Sequence, residues 1–173
     1  MRIYLLGFMG CGKSHTGKKL AQLLDCPVID LDTLIEEQAG MEISEIFARE
    51  GEKSFRLREQ KALHETAKSE HLIIACGGGA PCFFDNMNWM KKHGLTVYLQ
   101  TSVETLVEHL LPGREHRPLI AALSEEELPL FIEKKLFARE PVYLQAQIVF
   151  SQKIPFENIA EALKEEIEFI SKA

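Results

Sequence analysis

The chain has no long apolar run, no low-complexity stretch and no excess of basic charge, and each absence removes a class of function. No apolar segment approaches the ~20 residues that span a bilayer. A glycine-rich loop opening at Gly7 leaves no space for a secretory signal, so none is expected. The formal net charge of −6 disfavours nonspecific binding to nucleic acid or to a membrane surface, so any anionic substrate must be drawn by local arginines. Cys11, Cys26, Cys76 and Cys82 lack zinc-site spacing and read as buried or loop thiols in a reducing compartment. A cytoplasmic protein follows. With 173 residues, 46% of them apolar and 27% charged, the composition is that of one ordinary globular domain, which we expect to act as a monomer.

What is present is a phosphate cradle. Gly7-Phe8-Met9-Gly10-Cys11-Gly12-Lys13-Ser14 satisfies G-x-x-x-x-G-K-[ST] at every fixed position. The apolar run from Met1 to Leu6 predicts a strand before it, and Leu20, Leu23 and Leu24 at helical spacing predict a helix after it. Glycines at 7, 10 and 12 let successive backbone N–H groups turn toward one anion at a helix N-terminus. Lys13 then reaches the terminal phosphates and the Ser14 hydroxyl can ligate Mg²⁺. A nucleoside triphosphate is the expected ligand.

A second strand is expected over Cys26 to Leu31, with Asp30 and Asp32 on one face. Thr33 with Glu36 reads as a capping box, and Gly40 as that helix's C-cap. A short helix from Ile43 toward Gly51 and a longer one over Glu52 to Ser69 follow. The apolar run Leu72-Ile73-Ile74-Ala75 predicts a central parallel strand ending in Gly77-Gly78-Gly79, where backbone can approach a ligand closely. This strand offers no acid for a metal, which leaves Asp30 to hold Mg²⁺ or its waters. Asp85 or Asn86 caps a helix carrying Trp89, which reads as core packing rather than a base-stacking platform. Leu95 to Leu99 is a strand, and Thr101 with Glu104 caps the next helix. The segment 111–124 breaks regular structure and gathers Arg114, His116 and Arg117, as either a solvated loop or a phosphate-closing lid. Ser124 with Glu127 opens a long helix expected to reach Arg139, where Pro141 forces an ending or a kink. A last strand over Gln147 to Phe150 and a helix over Asn158 to Ile170 complete the chain.

Strands alternating with helices predict a three-layer α/β/α sandwich on a five-stranded parallel sheet, with ligands at the strand carboxyl ends. The expected division is a core of residues 1–30, 70–110 and 144–173, a helical substrate-binding insertion at about 31–61 and a lid at about 111–124.

In Gly7 to Ser14, Asp30-Leu31-Asp32, Phe55-Arg56-x-x-Glu59, Gly77-Gly78-Gly79, Arg117-Pro118-Leu119 and Arg139-x-Pro-x-Tyr143 the sequence resembles the shikimate kinases, among the nucleoside-monophosphate-kinase-like P-loop kinases. The resemblance implies transfer of the ATP γ-phosphoryl group to the 3-hydroxyl of shikimate. It implies that Asp32 binds the acceptor hydroxyls and orients or deprotonates the nucleophile, and that Arg56 and Arg139 hold the substrate carboxylate. Gly78 and Gly79 become backbone neighbours of the ring hydroxyls, and Arg117 the lid arginine on the transferring phosphate. Lys13, Asp32 and Arg117 form the implied catalytic set. Gly10, Cys11, Gly12, Lys13, Ser14, His15, Arg117 and Lys153 form the nucleotide set, and Ser14 and Asp30 the metal set.

His15 stands where the family often has threonine. Leu110 stands where some relatives carry an arginine against adenine, a role Arg114 would compensate, and Lys153 where others have a basic residue near the base. The residues themselves leave two rivals open: a kinase of another small acceptor such as gluconate or a nucleoside monophosphate, and a nucleotide-binding regulatory module without turnover.

Overall fold

The computed structural model describes residues 1–114, 117, 119–151 and 158–172, with the side chains of 171 and 172 excepted. Lys153, His116 and Pro118 lie outside the described residues. Strands β1 (Arg2–Leu6), β2 (Val28–Asp30), β3 (Leu72–Ala75), β4 (Leu95–Gln100) and β5 (Ile148–Ser151) form one sheet in the order β2-β3-β1-β4-β5. Every pairing is parallel. Leu6, Asp30, Ala75, Gln100 and Ser151 therefore all end strands at the same edge of the sheet.

Alternation along β1 separates the two faces. Ile3 and Leu5 pack in one core cluster with Leu20 of α1 (Lys13–Leu24), Leu106 of α5 (Val103–Leu110), Ile132 of α6 (Glu127–Tyr143) and Leu163 of α7 (Ile159–Lys172). Tyr4 and Leu6 pack in the other with Ile35 of α2 (Leu31–Ala39), Leu63 of α3 (Ile43–Glu65) and Met90 of α4 (Asn86–His93). A sheet buried on both faces needs apolar residues in both registers, and β3 and β1 supply them. The expected three layers and five parallel strands are present.

Several local expectations are corrected. The second strand stops at Asp30 instead of carrying both acids: Asp30 is the N-cap of α2, its Oδ1 accepting the Asp32 N–H at 3.0 Å, and Asp32 sits in the first helical turn. Thr33 is thus inside the helix, and Glu36 reaches forward instead, accepting the Ile43 N–H at 3.0 Å. At α5 the cap is Ser102, one residue beyond Thr101, with Oγ accepting the Thr105 N–H at 3.2 Å. The Ser124–Glu127 box does form, with reciprocal bonds of 3.1 and 2.8 Å. Helix α3 is broken only by Gly51, whose φ of 81° separates the two helices read from the sequence.

α6 runs on through Pro141 to Tyr143. A proline this late costs only one bond, the one residue 141 would otherwise donate to the Phe137 carbonyl four residues back. Trp89 does pack in the fold, its ring stacked between the imidazoles of His64 and His93 at 4.5 and 4.1 Å. No helix among the described residues is long and apolar enough to cross a membrane.

The turn from α4 into β4 tolerates no side chain. A Cβ at Gly94 would lie 2.6 Å from the Arg2 carbonyl oxygen and 2.9 Å from the Tyr4 ring, although its φ of 178° suits any residue. Gly94→Ala should therefore destabilise by the ~1–3 kcal/mol of overpacking, read as a lower urea midpoint with an unchanged slope.

Candidate active site

The loop after β1 closes on itself before α1 begins. Gly10 and Gly12 take φ of 82° and 90°, which side-chain-bearing residues rarely adopt. Lys13 donates from Nζ to the Gly7 and Phe8 carbonyls, both at 2.9 Å, so its ammonium spans the loop. Cys11 is placed differently from its neighbours: it is fully buried, and its N–H donates to the Phe8 carbonyl at 3.2 Å. Gly10, Gly12, Lys13, Ser14 and His15 line a cavity of about 490 Å³, together with Asp30, Asp32, Gly77, Gly78 and Arg117.

Asp30 serves two partners at once. While one carboxylate oxygen caps α2, the other accepts the Ser14 hydroxyl at 2.5 Å. Two hard oxygen groups thus meet beside the phosphate loop, the kind of donor set Mg²⁺ takes alongside phosphates and water. Among the described residues no group of three or more His, Cys, Asp or Glu is placed to hold a metal by itself.

A smaller cavity of about 150 Å³ adjoins the first and is lined by Asp32, Arg56, Glu59, Gly77, Gly78, Gly79 and Arg139, with Phe47, Phe55 and Leu119 among its apolar members. Met9, Asp32, Gly77 and Gly78 line both, so Asp32 stands at the junction. Burial, reinforced by the neighbouring Asp30 charge and partly opposed by Lys13, pushes the Asp32 carboxyl above its usual range.

Arg56 is held from every side. Nη1 donates to Glu59 Oε2 at 2.7 Å, Nη2 to Glu52 Oε1 at 3.2 Å, and the guanidinium lies over the Phe83 and Phe55 rings at 4.0 and 4.9 Å. Arg56 and Glu59 are 8% and 1% exposed, so this pair is not a surface ion pair. Burial raises the Glu59 carboxyl, with Arg56 opposing, and its Oε1 has no hydrogen-bond partner among the described residues.

The three glycines make these placements possible. A Cβ at Gly77 would lie 2.7 Å from Asp32 Oδ1 and 2.9 Å from Glu59 Oε1, and one at Gly79 2.6 Å from Arg56 Nη1. At Gly78 the Arg139 guanidinium is 3.6 Å away. Sequence reading missed Gly77's part, although its place in the triplet signalled it. It also missed His109, which lines the larger cavity and donates from Nδ1 to the Gly10 carbonyl at 2.8 Å. No sequence pattern marked that contact. Leu110, beside it, packs its branch point 2.8 Å from where a Cβ of Gly10 would be. Arg114 is not among the described residues lining this cavity.

The family model described as shikimate kinase matches residues 9–168. The chain belongs to the shikimate kinase family. It is 47% identical over 149 residues to the shikimate kinase of Parabacteroides distasonis, covering 86% of each chain. Its structure matches the crystal structure of shikimate kinase from Bacteroides thetaiotaomicron with a TM-score of 0.91 and 39% identity, covering 97% and 98% of the two chains. It likewise matches the Acinetobacter baumannii enzyme in complex with shikimate, with a TM-score of 0.87 and 32% identity over 99% and 93%.

Removing Glu59 would leave the Arg56 charge buried against two rings with only the more exposed Glu52 to balance it. Glu59→Ala should cost about 3–5 kcal/mol of stability, measured by urea unfolding.

Proposed function

We propose that this shikimate kinase family member transfers the γ-phosphoryl group of ATP to the 3-hydroxyl of shikimate, giving shikimate 3-phosphate and ADP. The observation that carries the reading is the position of Asp32, at the meeting of a phosphate-loop cavity and a small cavity bearing two arginines. A single-ring acceptor with a carboxylate suits the smaller space better than a nucleoside monophosphate does. Residues from about 31 to 61, within α2 and α3, serve as the substrate-binding insertion, and about 111–124 as the lid.

Arg56 and Arg139 would hold the carboxylate, planar guanidinium against planar carboxylate. Backbone N–H groups at Gly78 and Gly79 face the ring hydroxyls. Asp32 accepts the 3-hydroxyl proton as the oxygen–phosphorus bond forms and the bond from Pγ to the β,γ-bridging oxygen breaks, so ADP leaves with that electron pair. A carboxyl already raised by burial is a better proton acceptor than an ordinary one. Lys13 and Arg117, which line the same cavity, neutralise the spreading phosphate charge. Gly10, Cys11, Gly12 and His15 shape the nucleotide side, and Lys153 lies near the base. Ser14 and Asp30 would hold Mg²⁺, which supplies charge neutralisation at the phosphates when bound. We further infer a cytoplasmic monomer that engages neither nucleic acid nor membrane; the net charge of −6 and a site built within one chain support this.

Coupled ADP release with a panel of shikimate, gluconate and a nucleoside monophosphate tests the reading. Shikimate-dependent turnover supports it, and turnover with another acceptor, or binding without turnover, overturns it.

Arg139→Ala is the cleaner probe of the carboxylate, because Arg56→Ala would also orphan Glu59. It should raise the shikimate KM roughly 10- to 100-fold while the ATP KM stays near that of the wild type. Steady-state kinetics with each substrate varied in turn reads both.

Asp32→Asn should lower turnover by about 10²–10⁴. The same change removes a desolvated charge, so it should raise Tm at neutral pH. Because the folded-state pKa of Asp32 lies above the unfolded value, acid protonates the native carboxyl first and relieves the wild type of that penalty. The Tm gain should therefore shrink as the pH falls through the raised folded-state value, followed by thermal unfolding across a pH series.

A further inference from the structure

The triple glycine has no side chains of its own to fix it, so something else must hold its peptides in one orientation. Two of its three carbonyls are satisfied by the turn that follows: Gly77 accepts the Ala80 N–H at 3.0 Å, and Gly79 accepts the Cys82 N–H at 2.8 Å. The Gly78 carbonyl receives no backbone donor among the described residues. Its partner is the hydroxyl of Tyr143, which donates to it from the last turn of α6 across 65 positions of sequence.

Tyr143 is fully buried, its ring tilted against Tyr98 at a centroid distance of 5.1 Å. Burial raises the phenol, partly opposed by the nearby Arg139 guanidinium, so the hydroxyl keeps its proton and stays a donor throughout the working pH range. Arg139 lies one helical turn before Tyr143 on the same helix, with Nη1 3.6 Å from a Cβ position at Gly78. One helix end therefore carries both a wall of the small cavity and the anchor of the glycine loop.

In a trans peptide the C=O of one residue and the N–H of the next point in opposite directions. Fixing the Gly78 carbonyl on Tyr143 thus turns the Gly79 N–H away from Tyr143. Gly79 lines the small cavity and Tyr143 does not. We propose that Tyr143 is a positioning residue for the acceptor: its hydroxyl locks the Gly78–Gly79 peptide so that the Gly79 N–H is presented to a ring hydroxyl of the bound shikimate. Free glycine peptides would otherwise rotate, and binding would have to order them.

This inference rests on the shikimate reading, and the test separates the two. Tyr143→Phe keeps the ring and removes only the donor. The shikimate KM should rise about 5- to 50-fold, with the ATP KM within twofold of wild type. A merely structural tyrosine would move both KM values or neither, and either result would overturn the positioning role. Absence of shikimate turnover by the wild-type protein would instead overturn the underlying reading and the inference with it.

A second measurement needs no variant and covers the case in which Tyr143→Phe fails to fold. In ¹⁵N-glycine-labelled wild-type protein, shikimate should shift the Gly79 amide resonance; an unmoved Gly79 amide under saturating shikimate would overturn the proposal.

Discussion

A methyl group at residue 77 or 79 has no place to go, and from that steric fact most of the site follows. With Cβ absent, Asp32, Glu59 and Arg56 press against backbone instead of against side chains. Three charged groups are thereby gathered around one small cavity, two of them, Arg56 and Glu59, buried. Their mutual compensation then becomes obligatory, because an unpaired charge at such depth would unfold the region or lose its charge. Burial accordingly raises both the Asp32 and the Glu59 carboxyl. The helix carrying Arg56 and Glu59 must also approach the end of β3 closely, and a bulkier loop would push it away.

The same economy appears on the phosphate side. Asp30 ends β2, begins α2 and binds Ser14, so one carboxylate fixes the angle between a strand and a helix while sitting beside the phosphate loop. Because Asp32 is two residues farther along, the cap that starts α2 also sets where Asp32 points. The position of Asp32 is therefore tied to the Ser14–Asp30 side of the site by backbone geometry as well as by charge.

Much of this was legible beforehand because it depends on short-range rules. A strand, a glycine-rich loop and a helix in succession give the cradle, and continuous apolar runs give the buried parallel strands. Legibility failed where a one-residue choice among competing polar groups decided the outcome. Asp30 outcompeted Thr33 as the cap of α2, and Ser102 outcompeted Thr101 at α5. It also failed for contacts between distant parts of the chain. His109 reaches Gly10 across 99 positions, and no local pattern encodes such a meeting. The Arg56–Glu59 spacing announced a pair, but only the surrounding rings and glycines determine that the pair is buried.

The placement of the chain's only tryptophan has a practical consequence. Trp89 is wedged between His64 on α3 and His93 on α4, and the His93 carbonyl is bound by Arg2 at the start of β1. That is the end of the sheet opposite the strand termini that bear the phosphate loop and the glycine triplet. Intrinsic indole emission is accordingly an optical gauge of how α3 and α4 are docked, read from the far side of the molecule.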